Sequence, residues 1–409
     1  VAVSIPKPAL PSEFLVDNRV YTDPSVFELE QERLFLRVWN FVCHASEVRE
    51  PGDFITTTVA GQPIVVCRTK SGEVRAFFNT CRHRAAQVVR EERGHAAAFT
   101  CFYHLWTYDL EGTLTGVPEA NTYETSYCPG GIDKAATSLV RIRAESMHGL
   151  VFVCFDERMP GLAEFLGDAF AAELALPLGA ADVRVARDWA NELHANWKME
   201  PENSRDGYHA TLLHTRLRGV SPPRPFRVYP NGHAVQLLGL DYHAGKNAGT
   251  LDGILAEQPD LVARFMADPL PGMTLEEPSR IITIFPDVLI AIRYSTLLIV
   301  KQIPVSAGET WFETRYAYLA GDSAEQVDIR RKHWRMYWAE DGGNLPEDWA
   351  AWEAQQKGAR SIGVRYSLLS RGEVADEGMR GDDNRVRSFW AQWRTYMGTS
   401  ENAPPAENA

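Results

Sequence analysis

Residues 80–104 read TCRHRAAQVVREERGHAAAFTCFYH, with Cys81 and His83 two positions apart and Cys101 and His104 three apart. Seventeen residues separate the two groups. A tetrahedral zinc site usually pairs Cys with Cys and His with His, whereas each short group here offers one thiolate and one imidazole. That layout suits a two-iron, two-sulfide cluster in which both cysteines hold one iron and both histidines the other. Replacing two thiolates by neutral imidazoles leaves such a cluster less negative and raises its reduction potential. Zinc, and packing residues that fall this way by accident, are the competing readings. His95, between the groups, fits neither and reads as a surface residue.

The flanks of this stretch are β-rich. FITTTVA, PIVVCR and EVRAFF are short β-branched or aromatic runs punctuated by Gly61-Gln62 and Ser71-Gly72, and SLVRIRAESMHGLVFVCF has the texture of a closing hairpin. They predict an antiparallel β domain over residues 38–156. Ahead of it, Asp23-Pro24 marks a helix start, and Phe27, Leu34 and Val38 recur on one side, so residues 1–37 read as a helical segment. After Pro160, helix-like segments mix with the long strands SRIITIFPDVLIAIRY, STLLIVKQIPV and TWFETRYAYLA, and helices resume at SAEQVDIRRKHWRMYW and RVRSFWAQWRTYM. Long strands among helices, without strict alternation, argue for an α+β domain on an antiparallel sheet over residues 157–400. The tail 401–409, ENAPPAENA, is too polar and Pro-rich to pack and is expected to be disordered.

With 409 residues, 45% of them hydrophobic, the chain can fill two cores. A net charge of −12 without a basic run disfavours nucleic acid and anionic lipid as partners. VAVSIPKPALPSEFL has no signal layout, and GLVFVCF is too short to span a bilayer, so the expected location is the cytoplasm. Cys43, Cys67, Cys128 and Cys154 stand singly and read as core or inert thiols. There is no internal repeat and no G-x-G-x-x-G dinucleotide fingerprint.

A second constellation lies in NWKMEPENSRDGYHATLLH, residues 196–214. His209 and His214 are five apart, so a helix presenting both must be bent or locally widened. Asp206 and His209, three apart, share a helical face, which lets the carboxylate couple to the imidazole. Two neutral histidines with one carboxylate supplied from elsewhere in the chain would form a facial triad that leaves iron(II) positions open for dioxygen. The bland reading is a pair of surface or core histidines.

The C-R-H and C-F-Y-H groups resemble the Rieske signature, and the N-W-K, E-N, D-x-Y-H, four residues, H pattern resembles the large subunits of Rieske non-heme iron ring-hydroxylating oxygenases. The resemblance implies a Rieske domain followed by a helix-grip catalytic domain. It implies Cys81, His83, Cys101 and His104 as ligands of a [2Fe-2S] cluster, and His209 and His214 as ligands of iron(II). The third iron ligand is expected in YWAEDGGNLPEDW, where Asp341 is chosen over Glu340 by the family match and Asp348 is a poorer candidate. Asp206 would bridge His209 to His104 of a neighbouring subunit and carry the electron. The implied reaction is hydroxylation of an aromatic ring with dioxygen, often to a cis-dihydrodiol, with electrons from a separate ferredoxin or reductase. A small β subunit in an α3β3 assembly is also implied.

The overall layout looks most like oxygenases of aromatic acids such as terephthalate, benzoate, anthranilate and salicylate. Lys301, inside an apolar strand, and Arg380 are the expected anchors of the substrate's anionic group. Lys where terephthalate-type enzymes carry Arg removes a bidentate fork. Two rival readings are a stand-alone Rieske monooxygenase or demethylase without a β subunit, and an electron carrier whose second domain holds no iron.

Overall fold

The computed structural model describes residues 8–179, 182–214, 225–238, 259–274, 279–373, 377–379 and 382–398. Arg380 and the 401–409 tail lie outside the described residues. The chain divides into two compact units, Phe35–Leu162 and a larger one made of Val1–Leu34 with Ala163–Ala409.

In the N-terminal part of the larger unit, β1 (Leu15–Asp17) pairs antiparallel with Tyr366–Leu368. Helix α1 (Pro24–Glu30) begins as the sequence predicts. The Asp23 carboxylate accepts from the Ser25 amide at 2.9 Å, and Pro24 occupies the first turn, where its missing N–H costs nothing. A π-helical turn, Gln31–Phe35, follows. Glu30 is fully buried, and its carboxylate accepts from Lys198 Nζ at 2.7 Å, Trp393 Nε1 at 2.7 Å and Trp197 Nε1 at 2.9 Å. A carboxylate is tolerated inside only with such partners, so these donors tie α1 to two distant segments of the unit.

Unit Phe35–Leu162 contains β2 (Asn40–His44), β3 (Asp53–Val59), β4 (Gln62–Arg68), β5 (Val74–Phe78), β6 (Arg93–His95), β7 (Phe99–Thr100), β8 (Thr107–Tyr108), β9 (Leu114–Gly116), β10 (Arg141–Met147) and β11 (Leu150–Cys154). They form a seven-stranded antiparallel sheet, β2-β11-β10-β5-β4-β3-β6, and a small sheet, β7-β8-β9. Because successive strand residues face opposite ways, the large sheet feeds two cores. Ile55, Ile64, Val66 and Ala76 point into one, and Phe54, Val65, Cys67 and Phe77 into the other, which also takes in Trp106, Tyr108, Cys81 and Cys101.

The larger unit continues through α2 (Leu162–Leu166), which straddles the boundary, α3 (Asp168–Leu178), β12 (Val183–Leu193), α4 (Met199–Arg205), β13 (Pro225–Val228), β14 (Ala234–Leu238), α5 (Pro259–Ala267), β15 (Ser279–Ile284), β16 (Val288–Arg293), β17 (Thr296–Ser306) and β18 (Glu309–Leu319). It ends with α6 (Ala324–Trp338), α7 (Leu345–Gly358), β19 (Tyr366–Leu368), β20 (Glu377–Met379) and α8 (Asn384–Met397). An eight-stranded antiparallel sheet runs β12-β18-β17-β16-β15-β14-β13-β20. Every residue of β15 and β16 is buried, so both sheet faces are covered and the strands read as continuous apolar runs. Helix α4 lies over one face, where Gln302 Nε2 of β17 donates to Glu200 Oε2 at 2.6 Å. Burial pushes the Glu200 carboxyl up to about 8, outweighing the pull of Arg205. Among the described residues no helix is long and apolar enough to cross a membrane.

Candidate active site

The loops at Cys81 and Cys101 are built alike. Cys81 N–H donates to Ala86 C=O at 2.8 Å and Ala85 N–H to Cys81 C=O at 2.9 Å; Cys101 N–H donates to Trp106 C=O at 2.8 Å and Leu105 N–H to Cys101 C=O at 2.9 Å. Ala85 and Leu105, each four residues after its cysteine, take φ of +55° and +58°, the left-handed turn that closes so short a loop. Both cysteines are buried. The His83 and His104 rings lie 4.4 Å apart between centroids, and His83 stacks on Trp106 at 4.9 Å. Tyr108 Oη accepts from the Arg82 amide at 3.1 Å and lies 3.4 Å from Cys81 Sγ. Desolvation, followed by the nearby His104, lowers the His83 pKa and favours its neutral, ligating form. His83 Nδ1 is buried without a hydrogen-bond partner among the described residues. Two thiols and two imidazoles gathered this way fit a mixed-ligand iron–sulfur cluster. His95, by contrast, is exposed beside Asp53.

In the larger unit, Pro201 is tolerated because it falls in the first turn of α4. The helix stops at Arg205. Asp206 leaves helical geometry (φ −87°, ψ 102°), and its carboxylate accepts from the Tyr208 amide at 2.7 Å and the His209 amide at 3.3 Å. A 3-10 turn, His209–Thr211, follows. The five-residue histidine spacing is thus met by a broken helix rather than a bent one. Asp206 Oδ2 comes within 3.4 Å of His209 Nδ1 through this capping turn, not through a shared helical face. Burial would raise the Asp206 pKa, yet His209 and the two amides hold it below the usual carboxylate range.

His209, His214 and Asp348 each offer a ligand atom within 4.8 Å of the others. Both imidazole Nε2 atoms stand 3.5 Å from one carboxylate oxygen, Asp348 Oδ1. That is too long for a good hydrogen bond and short enough for all three donors to share a cation. Burial pushes the Asp348 carboxyl up, and the two imidazoles pull it back. Asn203 Nδ2 donates to the same Oδ1 at 3.1 Å, and Glu347 Oε2 lies 3.1 Å from His214 Nδ1. The second contact directs the other ring nitrogen inward, as outer partners of metal-bound histidines do. Two imidazoles and one carboxylate are the donor set of a non-heme iron(II) site.

Two expectations are corrected by this geometry. Asp341 does not join the histidines: it sits before α7, its side chain is 81% exposed, and it pairs with Arg335 at 3.5 Å. Asp348 takes the place because it belongs to the buried stripe of α7, Leu345, Asp348, Trp352 and Gln356. That stripe follows the helical period and was the available signal. Lys301, in turn, faces away from the site. Its strand neighbour Gln302 reaches Glu200 on α4, so Lys301 points to the opposite sheet face. There it lies across from Glu313, which also contacts Arg315 at 3.0 Å and Arg187 at 3.7 Å. Burial drives the Lys301 ammonium down to about 8, against the pull of Glu313. Arg380 lies outside the described residues.

The three donors open on a cavity floored by the sheet residues Gln236, Ile281, Leu289 and Arg293 and bordered by Trp338 of α6. Neither Gln236 nor Arg293 stood out in the sequence.

Two family models match the chain: "Rieske [2Fe-2S] domain" over residues 38–129 and "Ring hydroxylating alpha subunit (catalytic domain)" over residues 180–399. The alpha subunit of 2-aminobenzenesulfonate 2,3-dioxygenase from Alcaligenes sp. is 35% identical over 398 residues, covering 96% of this chain and 95% of that one. Alpha subunit 2 of the terminal oxygenase component of terephthalate 1,2-dioxygenase from Comamonas sp. is 30% identical, covering 94% and 95%. Among solved structures, naphthalene 1,2-dioxygenase from Rhodococcus sp. superposes with a TM-score of 0.79 at 22% identity, covering 95% of each chain. The quaternary ammonium Rieske monooxygenase CntA superposes with a TM-score of 0.75 at 22% identity, covering 96% and 100%. These two likenesses concern the fold.

Proposed function

Since the chain belongs to the family of Rieske ring-hydroxylating oxygenase alpha subunits, we propose that it is the terminal oxygenase of an aromatic-acid dihydroxylating system. Cys81 and Cys101 would hold one iron of its [2Fe-2S] cluster, His83 and His104 the other, and His209, His214 and Asp348 the non-heme iron(II). When bound, the cluster supplies electrons singly and the iron(II) offers open positions for dioxygen.

The chain's own residues do the rest. Glu347 fixes the tautomer of His214, and Asn203 steadies Asp348. Ile281, Leu289 and Trp338 receive the ring and exclude water from it. Asp206 stays ionised against His209, and we assign it the bridge to His104 of a neighbouring copy. The proposed assembly is α3β3 with a small β subunit, reduced by a ferredoxin or reductase in the cytoplasm.

The observation that carries this reading is the approach of both Nε2 atoms to one oxygen of Asp348. Anaerobically purified protein should contain iron and sulfide. With a reductase system and dioxygen it should convert an aromatic acid to a product bearing two added oxygens. Zinc in place of iron, or absence of sulfide, would refute the reading. Asp206→Asn should keep the cluster spectrum while turnover falls by about 100-fold or more.

A further inference from the structure

With Lys301 on the far face, a different residue must meet an anionic substituent in the cavity. We propose that Arg293 is that residue, and that the Gln236 amide is a second polar contact for the same substrate. This rests on the aromatic-acid reading above and adds the specificity determinant to it.

The placement follows from strand register. Gln236 pairs with Ile281, and Ile281 with Ala291; two positions along, Ser279 pairs with Arg293. Steps of two keep side chains on one face, so Gln236, Ile281 and Arg293 share the face that floors the metal cavity. Among the described residues lining that cavity, Arg293 is the one Lys or Arg. Its guanidinium carbon lies 5.6 Å from the centroid of Tyr337, a buried residue of α6, which braces the planar group. A guanidinium fork matches the paired oxygens of a carboxylate or sulfonate.

Gln236 is an independent sign of a polar ligand. It is 4% exposed, lines the same cavity, and its Nε2 has no hydrogen-bond partner among the described residues. A buried donor of this kind is normally satisfied, and an acceptor atom on the substrate would satisfy it. The remaining floor, Ile281 and Leu289, is apolar and suits the ring.

The test uses the holoprotein, anaerobic, with cluster spectrum and iron content verified for every variant. Dissociation constants are measured for 2-aminobenzenesulfonate, anthranilate and terephthalate, and for the neutral analogues aniline and benzamide. Wild type should bind at least one of the acids more tightly than the neutral pair. Arg293→Met should weaken that binding by about 10- to 100-fold, with neutral binding changed by less than about twofold. Arg293→Lys, which keeps the charge and loses the fork, should fall between and serves if the Met variant does not fold. Gln236→Leu should weaken acid binding by a smaller factor. Undiminished acid binding in both Arg293 variants, with wild-type preference for acids intact, would overturn the assignment of Arg293 alone. A wild type that favours the neutral analogues would overturn both this inference and the aromatic-acid reading.

Discussion

Each cluster loop of the smaller unit closes on itself within six residues, Cys81 to Ala86 and Cys101 to Trp106, by the same two backbone bonds. The metal group of the larger unit is assembled from afar. His209 and His214 leave the end of α4, while Asp348 and Glu347 come from α7, Glu347 lying 133 residues beyond His214. Local closure makes a ligand set that depends on little besides its own loop and the residues packed beneath it. Long-range assembly makes one that depends on the packing of α4, α7 and the sheet.

The strongest way to break this contrast is to remove one set and look for the other. Cys101→Ser should abolish the visible and paramagnetic signature of the cluster and lower total iron from about three per chain to about one. His209→Ala should do the reverse and leave the cluster spectrum intact. Loss of both centres in either variant would show that the units do not hold their ligands separately.

A sharper test concerns the distant carboxylate. Asp348→Ala should reduce mononuclear iron affinity by more than about 100-fold, because the two imidazoles lose their shared partner. Asp341→Ala should change it by less than about twofold, since an exposed ion pair with Arg335 contributes little. Equal effects of the two changes would contradict the geometry.

Lys301→Met probes the sheet rather than the site. Removing one cation from a buried charge cluster should cost about 3–5 kcal/mol of stability, read as a lower denaturant midpoint. The substrate order should be unchanged.

The smallest expected effect is a pH dependence. Glu200 has its pKa raised from 4.5 to about 8 by burial. Its contribution is therefore full below the ordinary carboxyl value and fades as pH rises through 8, because the folded state holds a proton that the unfolded state has released. Glu200→Gln should lack this term. Its melting temperature, compared with wild type at pH 6 and pH 9, should gain about 2–4 °C in relative terms at the higher pH. A difference that is constant with pH would show Glu200 to be ionised throughout.

Much of the fold was legible because its signals are short-range. The β runs FITTTVA, PIVVCR and EVRAFF appear as β3, β4 and β5, and Asp23-Pro24 starts α1. The helix break at Asp206 was half visible: the five-residue spacing demanded an irregularity, but its form, a carboxylate capping the next turn, depends on where α4 ends.

Spacing by itself singled out the paired Cys/His loops and the histidine pair, since each is written within a few residues and shaped by local backbone bonding. Tertiary structure alone decided which carboxylate faces the histidines and which cation faces the cavity. In a sheet buried on both sides, Lys301 and Gln302 look equally inward in sequence, and a single step of strand parity separates the charged back face from the face that floors the cavity. Likewise Asp341 and Asp348 differ by seven positions in an acidic stretch, and only the packing of α7, which turns Asp348 into the core and leaves Asp341 in solvent, tells them apart.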